Sequence, residues 1–327
     1  MIATPSDDPI TNAADRDLPR QGGSVMAHAD VILPTNPTQH LPVVCDIGLG
    51  DLRYALTKGF EDFSAMPTHA IFLSLIYPIV GLALGGATFG YNVMPLLYPL
   101  ASGFALIGPF AAIGLYELSR RRELGLDTSW QHVFDIAHSP SLPAILALGF
   151  LLLVIFCVWL GVADAIYVAN FGDPELVPMT LGEFVRRVVS TDEGQTLIIV
   201  GNSVGFLFAA LAFSLSVISF PLLLDRNVGV AVAIVTSVRA IARNPLTMTL
   251  WAIFVVGALV IGSLPFLLGL AVVMPVLGHS TWHLYRRVIA PDSSPRPEYH
   301  PQAKGRRYAA DFPVSLFVPG PPDERGS

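Results

Sequence analysis

Long apolar runs separated by short polar stretches are the main pattern of this sequence. The runs cover residues 69–91, 94–117, 142–168, 195–224 and 246–285. A bilayer core needs roughly 20 apolar residues per helix, so each of the first four runs predicts one membrane-spanning helix. The last run is too long for one span, and a Gly/Pro turn signal at Pro265 divides it into spans at 246–263 and 265–285. The sequence therefore predicts an all-α, polytopic bundle of six transmembrane helices.

The basic residues predict how these spans are oriented. Cytoplasmic loops of membrane proteins carry an excess of Lys and Arg. With six spans and cytoplasmic termini, only Arg186 and Arg187 of the 19 basic residues fall on the outer side. The alternative, one long kinked helix over 246–285, gives five spans and places Arg286 and Arg287 outside. The pattern therefore favours a multi-pass protein of the bacterial inner membrane with both termini in the cytoplasm.

The two ends of the chain differ in composition from its middle. Residues 1–45 and 291–327 are polar and rich in proline, so we expect disordered tails on either side of a membrane domain over 46–290. Charged residues make up 13% of the chain, about half of the roughly 25% usual in soluble domains, so lipid must cover much of the surface. The net charge of −6 and the lack of a basic face argue against nucleic-acid binding.

Two stretches on the predicted cytoplasmic side resemble each other. Each contains arginine, then a short amphipathic helix (129–137 and 229–243), then a proline that opens the next span, Pro140 or Pro245. Because both copies run in the same direction, they predict an internal parallel repeat. Such repeats occur in some transporters, but duplication of a structural hairpin gives the same pattern. We expect helix 229–243 to lie on the cytoplasmic leaflet and to contact lipid.

Three segments carry a family resemblance. They are DLRYALTKGFEDFSAMPTHAIFLSLIYPIVGLAL (51–84), GPFAAIGLYELSRRRELG (108–125) and PVLGHSTWHLYRRV (275–288). Over about residues 45–290 the chain resembles an uncharacterised bacterial integral membrane family, domain of unknown function 2189. Members are sometimes labelled cytochrome c oxidase proteins, so the resemblance implies at most an association with such a complex. The chain lacks the intramembrane histidine set that a haem-copper catalytic subunit needs, so that activity is not carried over.

Histidines at the ends of spans are the candidate metal ligands. His279 and His283 lie one helical turn apart, a spacing that suits a metal ion, and His69 lies at the end of another span. An interfacial belt formed with Trp282 and Tyr285 explains the same pattern. We favour the belt, and we therefore predict neither a metal nor a cofactor.

Polar residues inside the spans are the other candidates, because burying them in a membrane is costly. They are Asn202, Asp164 and Glu117. Asp164 and Glu117 lie near helix ends, where they can reach water, and Asn202 is expected to hydrogen-bond a neighbouring helix. A proton relay would place such groups in series across the core, and these residues do not.

These observations show no catalytic constellation, so we do not expect an enzyme. They favour a non-catalytic accessory or assembly subunit of a membrane complex. Its expected partners are membrane lipids, subunits of a respiratory complex and further copies of the chain. The alternative is a small transporter or channel for an unidentified solute, and a metal or haem site at His279 and His283 is a third hypothesis.

Overall fold

The computed structural model describes residues 41–66, 79, 99–100, 108–172, 181–265 and 267–291. Apart from turns and short connecting segments such as 41–48, 126–129 and 226–229, the chain in these ranges is helical. The β contact found there is an isolated antiparallel bridge between Val44 and Ile289. In chain order the helices are α1 (Leu49–Ala65), α2 (Gly108–Ala111), α3 (Ile113–Glu123), the 3-10 helix η1 (Trp130–His138), α4 (Leu142–Phe171), α5 (Leu181–Ser190), α6 (Asp192–Ser216), α7 (Ser219–Asp225), α8 (Val230–Arg243), α9 (Pro245–Ser263) and α10 (Leu270–Val288). The predicted all-α class is confirmed for this part of the chain.

Three helical stretches in the described part of the chain are long and apolar enough to cross a membrane. They are α4, the run Asp192–Asp225 formed by α6 and α7, and α9. These stretches correspond to the predicted spans at 142–168, 195–224 and 246–263. A helix that is apolar on all sides needs an apolar environment around it, so the fold is that of an integral membrane protein.

The other predicted spans are not confirmed. The span at 69–91 lies almost wholly outside the described residues, and the span at 94–117 is described mainly from Gly108 onward. The span at 265–285 corresponds to α10, which is a helix but is not among those apolar enough to cross. The count of six therefore stays a prediction. Because α9 ends at Ser263 and α10 begins at Leu270, the run 246–285 forms two helices instead of one.

Residues 45–47 connect the start of α9 to the end of α10. The carboxamide of Asn244 accepts from the backbone N–H of Ile47 at 2.8 Å and donates to the carbonyl of Cys45 at 3.0 Å. The backbone N–H of Cys45 donates to the carbonyl of Val288 at 2.7 Å. The N-terminus of α9 and the C-terminus of α10 therefore lie at the same end of the molecule, and the two helices form an antiparallel hairpin.

Helix α1 runs antiparallel to α10 and packs very closely against it. At the crossing, a Cβ atom placed on Gly59 would lie 2.0 Å from Oγ of Ser280 and 2.6 Å from its backbone nitrogen. Glycine is thus required at this position by the close approach of two backbones. Ala55, one turn earlier, is fully buried on the same face of α1.

Small residues also mediate the packing of α8, contrary to its expected amphipathic pattern. Its buried positions are Ala233, Thr236, Ser237 and Ala240, and Oγ of Ser237 accepts the backbone N–H of Ile218 between α6 and α7 at 3.3 Å. The larger apolar residues of the predicted face include Val235 and Val238, which point outward and are 44% and 43% exposed. The close contact with α6 and α7 selects small side chains, so the larger valines face the surroundings.

The predicted internal repeat is not confirmed. Its first copy is the 3-10 helix η1, which has no buried residue. Its second copy is the α-helix α8, which buries a full stripe of small residues against α6 and α7. The two segments therefore differ both in helix type and in how they pack.

We expect the substitution Gly59→Ala to destabilise the protein by about 1–3 kcal/mol, the usual cost of overpacking a close contact. The added methyl group must displace the backbone of Ser280 and not only a flexible side chain. Thermal unfolding of the full-length chain in detergent micelles measures the effect.

Gly50→Ala is the matched control, because it lies on the same helix and has no atom within 4 Å of the added carbon. Alanine is the better helix former, so this variant should be as stable as the wild type or slightly more stable. Equal unfolding temperatures for the two variants would contradict the close packing of α1 against α10.

Candidate functional site

A buried cluster of polar side chains joins α1, α3 and α10. It lies at the arginine-rich end of the bundle, where the last turn of α3 carries Arg120, Arg121 and Arg122 and the last turn of α10 carries Arg286 and Arg287. Asp62 on α1 lies at its centre, and its Oδ2 accepts from the hydroxyl of Ser119 at 2.5 Å and from Nε2 of His283 at 2.8 Å. Its Oδ1 accepts from the guanidinium of Arg122. Oγ of Ser119 also lies 2.7 Å from Nδ1 of His279. One carboxylate thus binds side chains from two other helices.

The hydrogen bonds determine the proton positions in this cluster. Ser119 has a single hydroxyl proton, which it donates to Asp62, so its oxygen must accept from a protonated Nδ1 of His279. Ser119 and His279 have no exposed surface. Arg122 and His283 are partly exposed at the edge of the cluster, whereas its centre has no contact with water, and its bonds hold helices together.

Asp62 is held in its ionised form. Burial by itself would raise the pKa of this carboxyl group, but the hydrogen bonds from His283 and Ser119 outweigh burial and lower the pKa below its usual value. Hydrogen bonds to a charged group contribute about 1.5–3 kcal/mol each. The pairing of α1 with α3 and α10 therefore depends on the negative charge of Asp62.

Glu117 forms a second ionic group on α3. It was expected to reach water from the helix end, but it is fully buried. Its two oxygens accept from Nε and Nη2 of Arg120 at 2.7 and 3.0 Å, and Nη1 of Arg121 lies 3.4 Å from Oε1. The same Nη1 of Arg121 lies 3.2 Å from Asp135 on η1. The arginines at the end of α3 are thus bound within the protein.

A third group joins the ends of α3, α7 and α10. The hydroxyl of Tyr285 donates to Asp225 at 2.7 Å, and Arg286 lies between Asp225 and Glu123, at 3.5 and 2.8 Å. Nε1 of Trp282 donates to Glu123 at 3.0 Å. Trp282 and Tyr285, considered as an interfacial belt on sequence grounds, are buried in this layer.

Two other candidates from the sequence, Asp164 and Asn202, do not join these groups. Asp164 lies half-buried on α4, and Asn202 lies exposed on α6, where its amide donates to the carbonyl of Ile198 at 2.7 Å. His69 falls outside the described residues.

The two histidines weighed as metal ligands belong to the Asp62 cluster. A ring nitrogen of His283 binds Asp62, and a ring nitrogen of His279 binds Ser119. Among the residues that the structure describes, no group of three or more His, Cys, Asp or Glu side chains could hold a metal ion. In this arrangement the imidazoles serve as hydrogen-bonding partners of the carboxylate and the hydroxyl.

The sequence did not identify Asp62 or Ser119 as site residues. Both lie outside the interior of the apolar runs, where polar residues attract notice. A signal was nevertheless present, because Leu52, Ala55, Gly59 and Asp62 follow the spacing of one helical face, and all four are buried. An acid on an otherwise apolar or small face indicates a buried partner.

We expect Asp62→Asn to lower the free energy of unfolding at pH 7 by about 1.5–3 kcal/mol for each hydrogen bond to the charged carboxylate that is lost, because Asp62 is buried while its partner Arg122 is partly exposed. The substitution leaves the guanidinium of Arg122 and the imidazole of His283 without their common anion. Unfolding of the purified chain in micelles measures it. Asp46→Asn is the control, because its ion pair with Arg243 is exposed, and exposed pairs contribute little.

The pH dependence gives an independent check. A carboxyl group with a lowered folded-state pKa stabilises the fold above its unfolded pKa, about 3.9 for Asp, and this stabilisation is lost as the pH falls through the folded value. The difference between wild type and Asp62→Asn should therefore shrink as the pH falls below about 4. A difference that stayed unchanged to about pH 2 would argue against an ionised Asp62.

Comparison with known proteins agrees with this structure. A family model described as a predicted integral membrane protein (DUF2189) matches residues 96–225, which include α3, η1, α4, α6 and α7. No curated protein and no solved structure shows significant similarity to the chain. The resemblance noted from the sequence is thereby confirmed over residues 96–225, where the chain is similar to this family of predicted integral membrane proteins.

Proposed function

We propose that the chain is a non-catalytic accessory or assembly subunit of a membrane complex. In this proposal it lies in the bacterial inner membrane with both termini in the cytoplasm, and a respiratory oxidase is the first complex to test. The observation that carries the proposal is an apolar face on α9 with a glycine at its centre.

Helix α9 presents most of its surface away from the described part of the chain. It packs mainly on α10 and has smaller contacts with α1 and α8. Only 22% of its most apolar stretch is buried inside the protein. Four of its branched apolar side chains are more than half exposed: Ile253, Val256, Val260 and Ile261. Their spacing along the chain places them on one face of the helix.

Gly257 lies at the centre of this face. A Cβ atom added there would meet no atom within 4 Å. In membranes, helices associate by close packing at small residues, because lipid tails are as apolar as the side chains. A glycine between branched residues forms a shallow recess into which a ridge of another helix fits. This face therefore suits a transmembrane helix of another subunit.

The arginine-rich end supports a structural role in a different way. The groups around Asp62 and Asp225 join α1, α3, α7 and α10, and the hydroxyl of Ser119 is fully buried in the first of them. The group around Glu117 joins α3 to η1 through Arg121. Ion pairs between helices hold the bundle in one arrangement, and a rigid bundle presents the face of α9 at a fixed angle to a partner.

The proposal predicts that Gly257→Trp weakens association with the partner. The chain is tagged at its own chromosomal locus, extracted in mild detergent at native abundance, and analysed by native gel and mass spectrometry. The wild type should migrate with a membrane protein in fixed ratio. In Gly257→Trp the bulky ring fills the recess, so recovery of that protein should fall at least tenfold.

Gly161→Trp is the matched control, because Gly161 lies on α4 and also has no atom within 4 Å of an added carbon. It should retain the partner. Recovery of the wild-type chain alone, or equal losses in both variants, would contradict the proposal. If the wild type is recovered alone and Asp164→Asn alters solute uptake, the alternative of a small transporter or channel is favoured.

A further inference from the structure

Polar side chains attach the segment between α3 and α4 to the end of α3. Nε of Arg121 donates to the carbonyl of Asp127 at 2.7 Å, and its Nη1 lies 3.2 Å from Asp135. The ring of His132 lies between the same two acids, at 2.8 Å from Asp135 and 3.0 Å from Asp127. These contacts fix the orientation of η1 about its own axis.

Four large apolar side chains of this segment are exposed. Phe134 is 64% exposed, Leu124 45%, Leu126 39% and Trp130 38%. The rings of Trp130 and Phe134 pack edge to face, with 6.0 Å between their centroids and 76° between their planes. No residue of η1 is buried. Two aromatic rings are therefore held together on the surface of the protein.

The position of η1 relative to the ends of the candidate spans indicates which environment surrounds these two rings. Helix α4 begins at Leu142, only a few residues after η1 ends at His138. The hydroxyl of Ser141 donates to the carbonyl of Arg226 at 3.4 Å, directly after the end of the second apolar stretch, Asp192–Asp225. The span α4 thus begins beside the end of the span Asp192–Asp225, and η1 lies next to these two span ends. The hydrocarbon core of a bilayer gives way to headgroups at such a level.

We propose that Leu124, Leu126, Trp130 and Phe134 form an aromatic anchor that inserts into the interfacial layer of the lipid bilayer on the arginine-rich side. Aromatic side chains are enriched at this depth in membrane proteins. The anchor is apolar and not electrostatic, because Arg121 is bound to Asp135 and Glu117 within the protein. It does not depend on the face of α9 or on an accessory role.

Tryptophan fluorescence tests the anchor directly. The other three tryptophans, Trp159, Trp251 and Trp282, are no more than 3% exposed, so Trp130 is the one that a quencher in the lipid reaches most readily. The full-length chain is reconstituted into phosphatidylcholine vesicles that contain a nitroxide on carbon 5 or carbon 12 of the acyl chain. The shallow nitroxide should quench the wild type at least twofold more than it quenches Trp130→Phe.

A second variant and a water-soluble quencher complete the test. Adding Phe134→Trp to Trp130→Phe should restore quenching by the shallow nitroxide, and the deep nitroxide should have the smaller effect in both proteins. Equal lipid quenching of the wild type and Trp130→Phe would overturn the proposal. Acrylamide, a water-soluble quencher, is loaded on both sides of the vesicles. If it quenches Trp130 fully in the vesicles but not in native membranes, the proposal is overturned and a protein partner is indicated.

Discussion

Burying a carboxylate costs several kcal/mol unless it is paired and hydrogen-bonded, and Asp62 meets this requirement with groups from two other helices. Ser119 and Arg122 approach it from α3, and His283 approaches it from α10. The close crossing of α1 with α10 at Gly59 brings the acid to this position. Packing and charge therefore depend on each other, because the crossing buries the acid and the paired acid fixes the crossing.

Side-chain size is distributed in this protein as lipid requires. Small residues lie where helices approach closely, as Gly59 does against Ser280 and as Ala233 and Ala240 do on α8. Large apolar residues fill the core, and others point outward, as on α9 around Gly257. Lipid tails are apolar, so exposing these residues costs little in a membrane, and close van der Waals packing drives helix association instead. The outward faces of α9 and η1 are then available to a partner helix and to the interfacial layer.

The candidate site shows how far sequence reasoning reaches. Glu117 was selected because it lies within an apolar run, and the structure places it in a buried ion pair with Arg120. Asp62 was not selected, because it precedes the first predicted span and looks like an ordinary surface acid. Its buried partners are 57 and 221 residues away in the chain. No local pattern could indicate which of the many polar residues would meet it.

Local composition was enough to predict that the chain is helical and apolar enough for a membrane, and to locate the stretches that form α4, Asp192–Asp225 and α9. Transfer of a helix into lipid depends on its own residues alone, so local composition is sufficient for this. The inward side of each helix and the pairing of its polar groups became known from the folded structure. These choices depend on contacts between distant parts of the chain, so they set the valines of α8 outward and brought Asp62 to His283.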